Sequence, residues 1–458
     1  MTNAQSNQPT VCIVGGGLAG MAAATALCTH AVRIELFEAR GQIGGRATSL
    51  PSADGERRID LCQHVVLGCC TQLIEWLTRM NLSAFFQADD TLNFIDQHGR
   101  CQALLTAGRL SAPFHAAPLL FGRRDLSVRQ KLSIARALVR LRRMHDVPRE
   151  GSETAGKWLR SVGQTPATIA RFWSVILTSA LGETVERASL AAARHVLVEG
   201  FMRGRDGAKL LLPTAPLYHI FHASTLDFYR QHDVAIYTGR SVRKVVVAPR
   251  QHPRVEFPDG TYRAFDYVIM AVPWNVIESL LEVPRADSDP YLNNIAGIET
   301  VPITAIHLWF DRPITPLRHA VLVQRTSQWL FNGGLRAGLR TDKPAHYYQI
   351  VISASRDLVG RPPGGLVESV LAELAEIWPV VGTRELLESQ VVTYRPAVFS
   401  VSPESEAARP SQVTPFPGLF LAGDWTRTGW PATMESAVRS GNLAAKSVLR
   451  QIARNTPV

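Results

Sequence analysis

A glycine-rich turn near the start of the chain constrains the fold more than any other feature. Residues 10–14 are apolar and predict a short buried strand, and residues 18–27 predict a helix with small residues on its packing side. Gly15, Gly17 and Gly20 form a GxGxxG pattern across the junction. This pattern between a strand and a helix is typical of a dinucleotide-binding βαβ unit, so we expect a parallel α/β sheet here.

Each glycine has a physical role in holding a pyrophosphate. Gly15 permits the tight turn, Gly17 lets the backbone approach the phosphates, and Gly20 lets the helix pack closely on the strand. The N–H groups at the start of the helix, which include those of Leu18 and Ala19, lack partners within the helix and carry partial positive charge. The sequence therefore predicts phosphate binding at this turn.

An acidic residue ends the next predicted strand, residues 33–37. Glu38 can accept hydrogen bonds from both ribose hydroxyls of an adenosine, and its charge would repel a 2′-phosphate. The predicted contacts with the adenosine are therefore Glu38 and the two residues that follow it, Ala39 and Arg40.

The segment after this strand separates FAD from NAD. Gly44 and Gly45 let the chain pass close to the cofactor, and Arg46 supplies a cation for its phosphates or for the flavin edge. Large flavoenzymes commonly keep such an element, whereas NAD dehydrogenases have no need of it. FAD is thus the predicted cofactor, with Gly45 and Arg46 in contact with it.

Three later segments are interpreted as returns to the same domain. Residues 234–247 predict a strand, a turn and a strand beside the adenine, with Val245 as a contact, and residues 267–273 predict a buried strand. Residues 418–424 predict another strand that ends at Asp424. Ligands bind at the carboxyl ends of strands in open α/β sheets, so Asp424 is predicted to bind ribityl or phosphate-linked hydroxyls, with helix capping as its alternative role.

These returns make the nucleotide-binding domain discontinuous. We predict a Rossmann-type FAD-binding domain of the α/β class from residues 1–85, 215–285 and 396–458. The intervening residues 86–214 and 286–395 are predicted to form an α+β substrate-binding domain. The length of 458 residues accommodates two domains.

The closing segment "GDWTRTGWPATMESAVRSG", residues 423–441, predicts a helix that begins near Pro431 and points its N-terminus at the flavin. Gly423 is predicted to lie at the cofactor. The backbone N–H groups of Thr433 and Met434 are predicted to bind the flavin N1–C2 carbonyl edge, which gains negative charge on reduction. The predicted buried face of this helix consists of Met434, Val438, Gly441, Ala445 and Val448.

Residues 123–143 combine seven Arg and one Lys with a single acid and predict a basic amphipathic helix. The predicted apolar stripe consists of Leu126, Leu132, Ala135, Leu138 and Leu141. Such a helix can lie on an anionic membrane or can be a solvated outer helix, and both interpretations stay open. Nucleic acid is not an expected partner, because aromatic residues are not interleaved with the basic ones.

The cellular location follows from what the sequence lacks. It has no run of eighteen apolar residues, and residues 1–10 lack the basic and apolar regions of a signal peptide. The six cysteines show no metal-ligand spacing and are expected to be mostly buried thiols in a reducing compartment, with no metal bound. The predicted location is the cytoplasm, with peripheral contact at the inner face of the cytoplasmic membrane as an extension.

The motifs together resemble a known group of flavoproteins. "GGGLAG", "GGRA", "QHVVLG" and "AGDWTRTGWPATMESAVRSG" are similar to the squalene-associated FAD-dependent desaturases, whose characterised members are hydroxysqualene dehydroxylases of bacterial hopanoid synthesis. That group belongs to the amine oxidase and phytoene desaturase superfamily, so the resemblance implies an amine-oxidase-like fold. The last two motifs are the more specific. One departure is Cys62, where the family tends to have glycine.

The resemblance implies an isoprenoid lipid substrate: reduced FAD removes the allylic hydroxyl of hydroxysqualene, giving squalene, oxidised FAD and water. Hydroxide is a poor leaving group, so a general acid should protonate it. Asp60, His64 and Glu435 are the candidates, and His64 can equally be structural. Trp430 or Trp173 can steady a cation and border the substrate, although Trp173, like Trp309, also suits a core position.

Two other functions stay open on the same residues. One is a carotenoid-type desaturase or an amine oxidase of the same fold. The other is a flavin-containing lipid carrier or scaffold without catalysis, for which the cysteine at position 62 is the only hint.

Overall fold

A computed structural model describes residues 8–51, 58–106, 111–144, 153–283, 285–337 and 344–455, with the backbone alone for residues 285–290 and 336–337. Most of the N-terminal segment considered for a signal peptide, residues 1–7, lies outside the described residues.

The strands, in chain order, are β1 (Thr10–Val14), β2 (Arg33–Glu38), β3 (Ser49–Pro51), β4 (Arg58–Asp60), β5 (Val66–Leu67), β6 (Phe86–Asp89), β7 (Thr91–Ile95), β8 (Cys101–Leu105), β9 (Leu210–Pro213), β10 (Val234–Thr238), β11 (Lys244–Val246), β12 (Arg254–Glu256), β13 (Tyr262–Ala264), β14 (Tyr267–Met270), β15 (Leu281–Glu282), β16 (Thr300–Phe310), β17 (His319–Leu322), β18 (Trp329–Ala337), β19 (Pro344–Ile352), β20 (Leu386–Phe399) and β21 (Leu419–Leu421).

The α-helices are α1 (Leu18–Leu27), α2 (Thr71–Arg79), α3 (Ala117–Phe121), α4 (Val128–Arg143), α5 (Ala155–Ser161), α6 (Pro166–Thr168), α7 (Ser174–Leu181), α8 (Leu190–Arg194), α9 (Leu226–Gln231), α10 (Ile277–Leu280), α11 (Arg285–Ala296), α12 (Pro363–Ile377), α13 (Pro403–Ala408) and α14 (Met434–Asn455). Short 3₁₀ turns cover Ser83–Phe85, Phe114–Ala116, Trp274–Val276, Arg356–Leu358 and Pro379–Thr383. Three π-helical segments cover Ile169–Trp173, His195–Met202 and His219–Ala223.

A five-stranded parallel sheet with the order β10-β2-β1-β14-β21 carries the predicted nucleotide-binding turn. The strand, helix and strand predicted from the glycine pattern are confirmed as β1, α1 and β2. The apolar strands β14 and β21 are buried along their whole length, β14 inside the sheet and β21 at its edge, as expected where helices cover a parallel sheet. Helix α14 packs against α1 so closely that a Cβ added to Gly441 would lie 2.2 Å from the Ala19 carbonyl oxygen.

A seven-stranded mixed sheet with the order β20-β16-β19-β18-β17-β7-β8 forms the second layer. Residues alternate between its faces along each strand. Helix α12 covers one face through an apolar cluster that includes Ile306, Leu308 and Leu374. His307 and Trp309 are completely buried on the other face. The predicted fold class is confirmed, while the predicted domain boundaries stay a prediction.

Val245 lies outside the parallel sheet. It is the central residue of β11, which pairs with β12 and β15 in a separate four-stranded sheet, and its side chain is completely buried. Because the side chain is buried, the predicted contact with the adenine would have to be made by the backbone near Val245. That contact stays a prediction.

The basic helix differs from its prediction. Helix α4 begins at Val128 because Ser127 and Gln130 form a capping box. Before it, Arg123 is buried in an ion pair with Asp125, 2.6 Å away, and lies over the ring of Phe94.

The predicted apolar stripe of this helix is only partly correct. Leu126, which precedes α4, and Leu141 are buried, while Ala135 and Leu138 are half-buried, but Leu132 is 45% exposed. The helix instead buries Ile134, Ala137 and Leu141.

The cysteines are free, but fewer are buried than the sequence suggested. Cys12 and Cys70 are buried, whereas Cys28, Cys62 and Cys69 are half-buried and Cys101 is exposed. Trp173 is buried, as expected of a core residue.

Candidate functional site

The glycine turn has the backbone geometry that phosphate binding requires. Gly15 has a φ of +107°, and a Cβ there would lie 2.6 Å from the Ala271 carbonyl oxygen. A Cβ on Gly20 would lie 2.0 Å from the Gly15 carbonyl oxygen, so α1 can approach the turn only with glycine there. A Cβ on Gly17 would meet nothing nearer than the Gly45 Cα, at 3.8 Å. A Cβ at Gly17 would thus be in ordinary van der Waals contact with Gly45.

Helix α1 begins directly after Gly17. Its N-cap is Gly17, and among the described residues no side chain caps it. The backbone N–H groups of Leu18 and Ala19, in the first turn, therefore suit an anionic ligand. Gly45, with a φ of +62°, lies against Gly17, because the Gly44 N–H donates to the Gly16 carbonyl.

Glu38 lies at the carboxyl end of β2, beside this turn. Its carboxylate accepts the Gly16 N–H at 2.8 Å and the Arg40 N–H at 2.9 Å. An ionised carboxylate has about four acceptor positions, so two remain for the ribose hydroxyls. Ala39 lies in the chain between Glu38 and Arg40. Strand β10 ends beside them, and the Arg240 N–H that follows it donates to the Glu38 carbonyl.

We expect Glu38→Ala to raise the dissociation constant of FAD about ten- to a hundredfold, because hydrogen bonds to a charged group contribute roughly 1.5–3 kcal/mol. Titration of the apoprotein with FAD, followed by flavin fluorescence, measures this change. Glu35→Gln is the matched control, since Glu35 lies on the same strand but pairs with Arg263. Equal FAD affinity of Glu38→Ala and the control would remove Glu38 from the site.

Arg46 and Asp424 form an ion pair that joins the two predicted cofactor segments. The Arg46 guanidinium also donates to the Ala397 carbonyl at 2.9 Å. Asp424 does not cap the last helix, because that position is taken by Thr433, whose hydroxyl accepts the Ser436 N–H. The alternative role of Asp424 as a helix cap is therefore wrong.

The last helix begins at Met434, three residues after the predicted start. Thr433 and Met434 consequently lie at its first turn, where N–H groups lack intrahelical partners. Gly423 is held beside the helix, since its N–H donates to the Ser440 hydroxyl. Its φ is +149°, and an added Cβ would lie 2.3 Å from the Trp425 indole nitrogen, so there is no room for a side chain.

The buried face of α14 largely matches its prediction. Val438, Gly441, Ala445 and Val448 are buried, whereas Met434 is half-buried.

Arg409 organises the loop before this helix and was missed in the sequence. Its buried guanidinium donates to four carbonyls of the loop, those of Asp424, Trp425, Thr426 and Trp430. It also pairs with Glu406 at 2.8 Å. One buried cation thus sets the path of residues 424–430. The only local sign is a lone arginine before Pro410, at the end of a short helix.

Trp430 is half-buried between two side chains. The imidazole of His195 meets it edge-on, with ring centroids 4.7 Å apart, and the Arg439 guanidinium lies 4.9 Å from its ring centre. His195 opens the π-helical segment His195–Met202. Such segments occur frequently at functional sites, but π-helical geometry is not readable from residue spacing, and His195 was missed for that reason.

His64 lies close enough to Arg46 for the two charges to interact. Burial and the Arg46 charge lower the pKa of His64, although its contact with the Cys62 carbonyl opposes this. Because a carbonyl can only accept, Nδ1 carries the proton in this 2.8 Å contact, and Nε2 of the neutral ring is an acceptor. At neutral pH this ring can bind a hydroxyl but is a weak proton donor.

Asp60 and Cys62 lie on the same segment as His64. One Asp60 oxygen accepts the Ser49 hydroxyl and the Leu217 N–H, both at 2.8 Å, so it holds the segment in place. Burial, with the nearby Asp60 charge, raises the pKa of the Cys62 thiol to about 12, which keeps it protonated. The catalytic roles predicted for Asp60 and His64 stay predictions.

Glu435, one of the general-acid candidates from the sequence, is held by three groups of the protein. It is completely buried, and its carboxylate accepts the N–H groups of Gln72 and Leu73 at the start of α2. It also forms an ion pair with Arg439 at 2.5 Å. The role of Glu435 as general acid stays a prediction.

Comparisons with known proteins agree with this geometry. The family described as flavin containing amine oxidoreductase matches residues 18–449. A ζ-carotene desaturase of Synechocystis sp. is 25% identical over 97% of this chain and 98% of its own length. A hydroxysqualene dehydroxylase of Sinorhizobium fredii is 26% identical over 96% of this chain and 98% of its own length.

A solved structure shows the same fold. Cyclohexylamine oxidase from Brevibacterium oxydans has a TM-score of 0.70 at 17% identity, covering 98% of this chain and 100% of that one. The predicted cofactor, FAD, is confirmed by the family and the fold. Three features suit parts of FAD: the first turn of α1 suits its pyrophosphate, the Glu38 carboxylate its adenosine ribose, and the first turn of α14 its flavin.

Proposed function

The chain belongs to the flavin-containing amine oxidoreductases, and we propose that within this family it removes the hydroxyl of hydroxysqualene reductively to give squalene. The overall reaction converts hydroxysqualene and reduced FAD into squalene, oxidised FAD and water. Reduced FAD supplies the hydride. The protein residues bind the lipid, hold its hydroxyl and exclude water from the reaction.

The observation that carries the proposal is the polar and aromatic lining around Trp430. A carotene offers a desaturase no hydrogen-bonding group, whereas a hydroxyl needs one. His195 touches Trp430, and His64 lies near Arg46, so two imidazoles stand beside the segments that the cofactor is proposed to contact. The Trp430 ring can steady the positive charge that develops as the hydroxyl leaves.

The leaving hydroxyl needs a proton, and His195 is the group we place there. The Glu435 carboxylate is bound to the Leu73 N–H and to Arg439, and His64 is mostly neutral because its pKa is lowered by burial. An imidazole can donate a proton to the departing oxygen, which leaves as water, and recover it from solvent. The hydroxysqualene dehydroxylases of Sinorhizobium fredii and Zymomonas mobilis, 26% and 25% identical to this chain, support the same substrate class.

A carotenoid-type desaturase is the second candidate, because ζ-carotene desaturases are as similar to the chain as the dehydroxylases are. The two reactions pass electrons in opposite directions, since a desaturase reduces its flavin with substrate. We expect oxidised enzyme mixed anaerobically with phytoene or ζ-carotene to keep its yellow flavin band. Bleaching of that band, with formation of a more unsaturated carotene, would replace the dehydroxylase with a desaturase.

A further inference from the structure

Helix α4 has two apolar faces, and only one of them is covered. Ile134, Ala137 and Leu141 pack into the protein. On the opposite side Val128, Leu132 and Val139 are 71%, 45% and 46% exposed. These three positions fall within about 40° of one another on a helix of 3.6 residues per turn, so they form one straight apolar row.

Cations border this exposed row on both sides. By helical position Lys131 and Arg142 flank one side, and Arg136 and Arg143 flank the other. The three arginines are exposed. Residues 128–143 contain no Asp or Glu. The row is thus an apolar strip within a positive field, an arrangement that suits lipid tails together with anionic headgroups.

The preceding segment extends the same surface. Phe114 and Phe121, at the 3₁₀ turn and at the end of α3, are 65% and 50% exposed. The Lys131 ammonium donates to the Phe121 carbonyl at 2.9 Å, which fastens the end of α3 to α4. We call the surface formed by Phe114, Phe121, Val128, Leu132 and Val139 the α3–α4 face.

The elements that carry this surface are attached to the π-helical segment beside Trp430 and to the residue that precedes it, Arg194. The His115 ring lies 3.1 Å from the Phe201 carbonyl, and the Arg194 guanidinium donates to the Met144 carbonyl at 2.8 Å. His195, which follows Arg194, contacts Trp430. One segment, His195–Met202, therefore joins the α3–α4 face to the site.

We propose that the α3–α4 face docks on an anionic lipid bilayer and delivers the lipid substrate along the segment His195–Met202. The delivery rests on the proposed function, whereas the docking does not. Among the described helices none is long and apolar enough to cross a bilayer. Binding to nucleic acid would not require the exposed valine and leucine side chains. This apolar row therefore favours a lipid bilayer over nucleic acid as the partner.

Sedimentation with vesicles of phosphatidylcholine and phosphatidylglycerol tests the docking. The wild type should bind them at low salt and bind phosphatidylcholine vesicles alone much less. Val128→Gln, Leu132→Gln and Val139→Gln together should weaken binding about tenfold, as should Arg136→Gln, Arg142→Gln and Arg143→Gln together. The matched control is Tyr262→Gln with Leu335→Gln, which removes two apolar side chains that are each 63% exposed elsewhere.

The docking would be overturned if both triple variants bound vesicles as well as the wild type, or if the control lost as much binding as they do. It would also be overturned if the wild type were a dimer and the apolar triple variant a monomer with unchanged vesicle binding. Thermal melts of each variant show whether it is folded. Turnover of detergent-solubilised hydroxysqualene separates the two proposals. If turnover persists in a triple variant that no longer binds vesicles, both proposals stand. If the wild type binds vesicles but does not convert hydroxysqualene, only the proposed function fails.

Discussion

Replacing Arg409 with methionine should lower the free energy of unfolding by about 3–5 kcal/mol and should strip the purified protein of most of its FAD. The guanidinium is buried, pairs with Glu406 and binds four loop carbonyls. Methionine fills a similar volume but leaves the Glu406 carboxylate and those carbonyls without their donor. The loop that carries Asp424 and Trp430 then loses its fixed path.

Urea unfolding and the flavin absorbance per polypeptide measure the two effects. Arg427→Met is the matched control, because Arg427 lies on the same loop but is exposed. It should change stability by no more than a typical surface substitution, about 0.5 kcal/mol. If Arg409→Met kept full flavin content and stability, the loop would be held by something other than this guanidinium.

Gly441→Ala should have the second largest effect. A Cβ there would lie 2.2 Å from the Ala19 carbonyl oxygen and 2.8 Å from the Ala23 nitrogen. Both atoms belong to the backbone of α1, so the clash can be relieved only if α14 moves away. Overpacking of this kind typically costs about 1–3 kcal/mol, occasionally more, and here it also separates the two helix N-termini that are proposed to bind the cofactor.

The control for this substitution is Gly365→Ala. Gly365 lies in α12, it is exposed, and a Cβ would meet nothing within 4 Å. Alanine is the better helix former, so this variant should gain about 0.5–1 kcal/mol. Calorimetry and FAD titration of both variants should therefore show opposite shifts in melting temperature, and a weaker FAD affinity for Gly441→Ala alone. Similar behaviour of the two would contradict the close packing of α1 and α14.

The nucleotide-binding turn could be predicted from the sequence because its causes are local. The glycine spacing, the apolar run before it and the acid after β2 all act within about thirty residues, as the fingerprint requires. The bounds of β1 and α1 match their predictions.

The rest of the site depends on distant contacts. Arg409 acts on carbonyls that follow it by fifteen or more residues, and His195 meets Trp430 across more than two hundred. Residue spacing shows that α4 is amphipathic but does not decide which apolar row is covered, since that depends on the neighbours that pack on it. The start of α14 was misplaced because proline at 431 suits a first helical position, whereas the Thr433 hydroxyl caps the helix.

We expect the reduced enzyme to react with hydroxysqualene. Anaerobic enzyme with photoreduced flavin, mixed with hydroxysqualene in detergent, should recover its oxidised flavin band and release squalene in equal amount to the flavin. His195→Phe, which keeps the ring contact with Trp430 but removes the proton, should slow this reoxidation by a factor of about 10²–10⁴. If the flavin of a wild-type protein that holds FAD stays reduced in the presence of hydroxysqualene, this result would contradict the proposed dehydroxylase function.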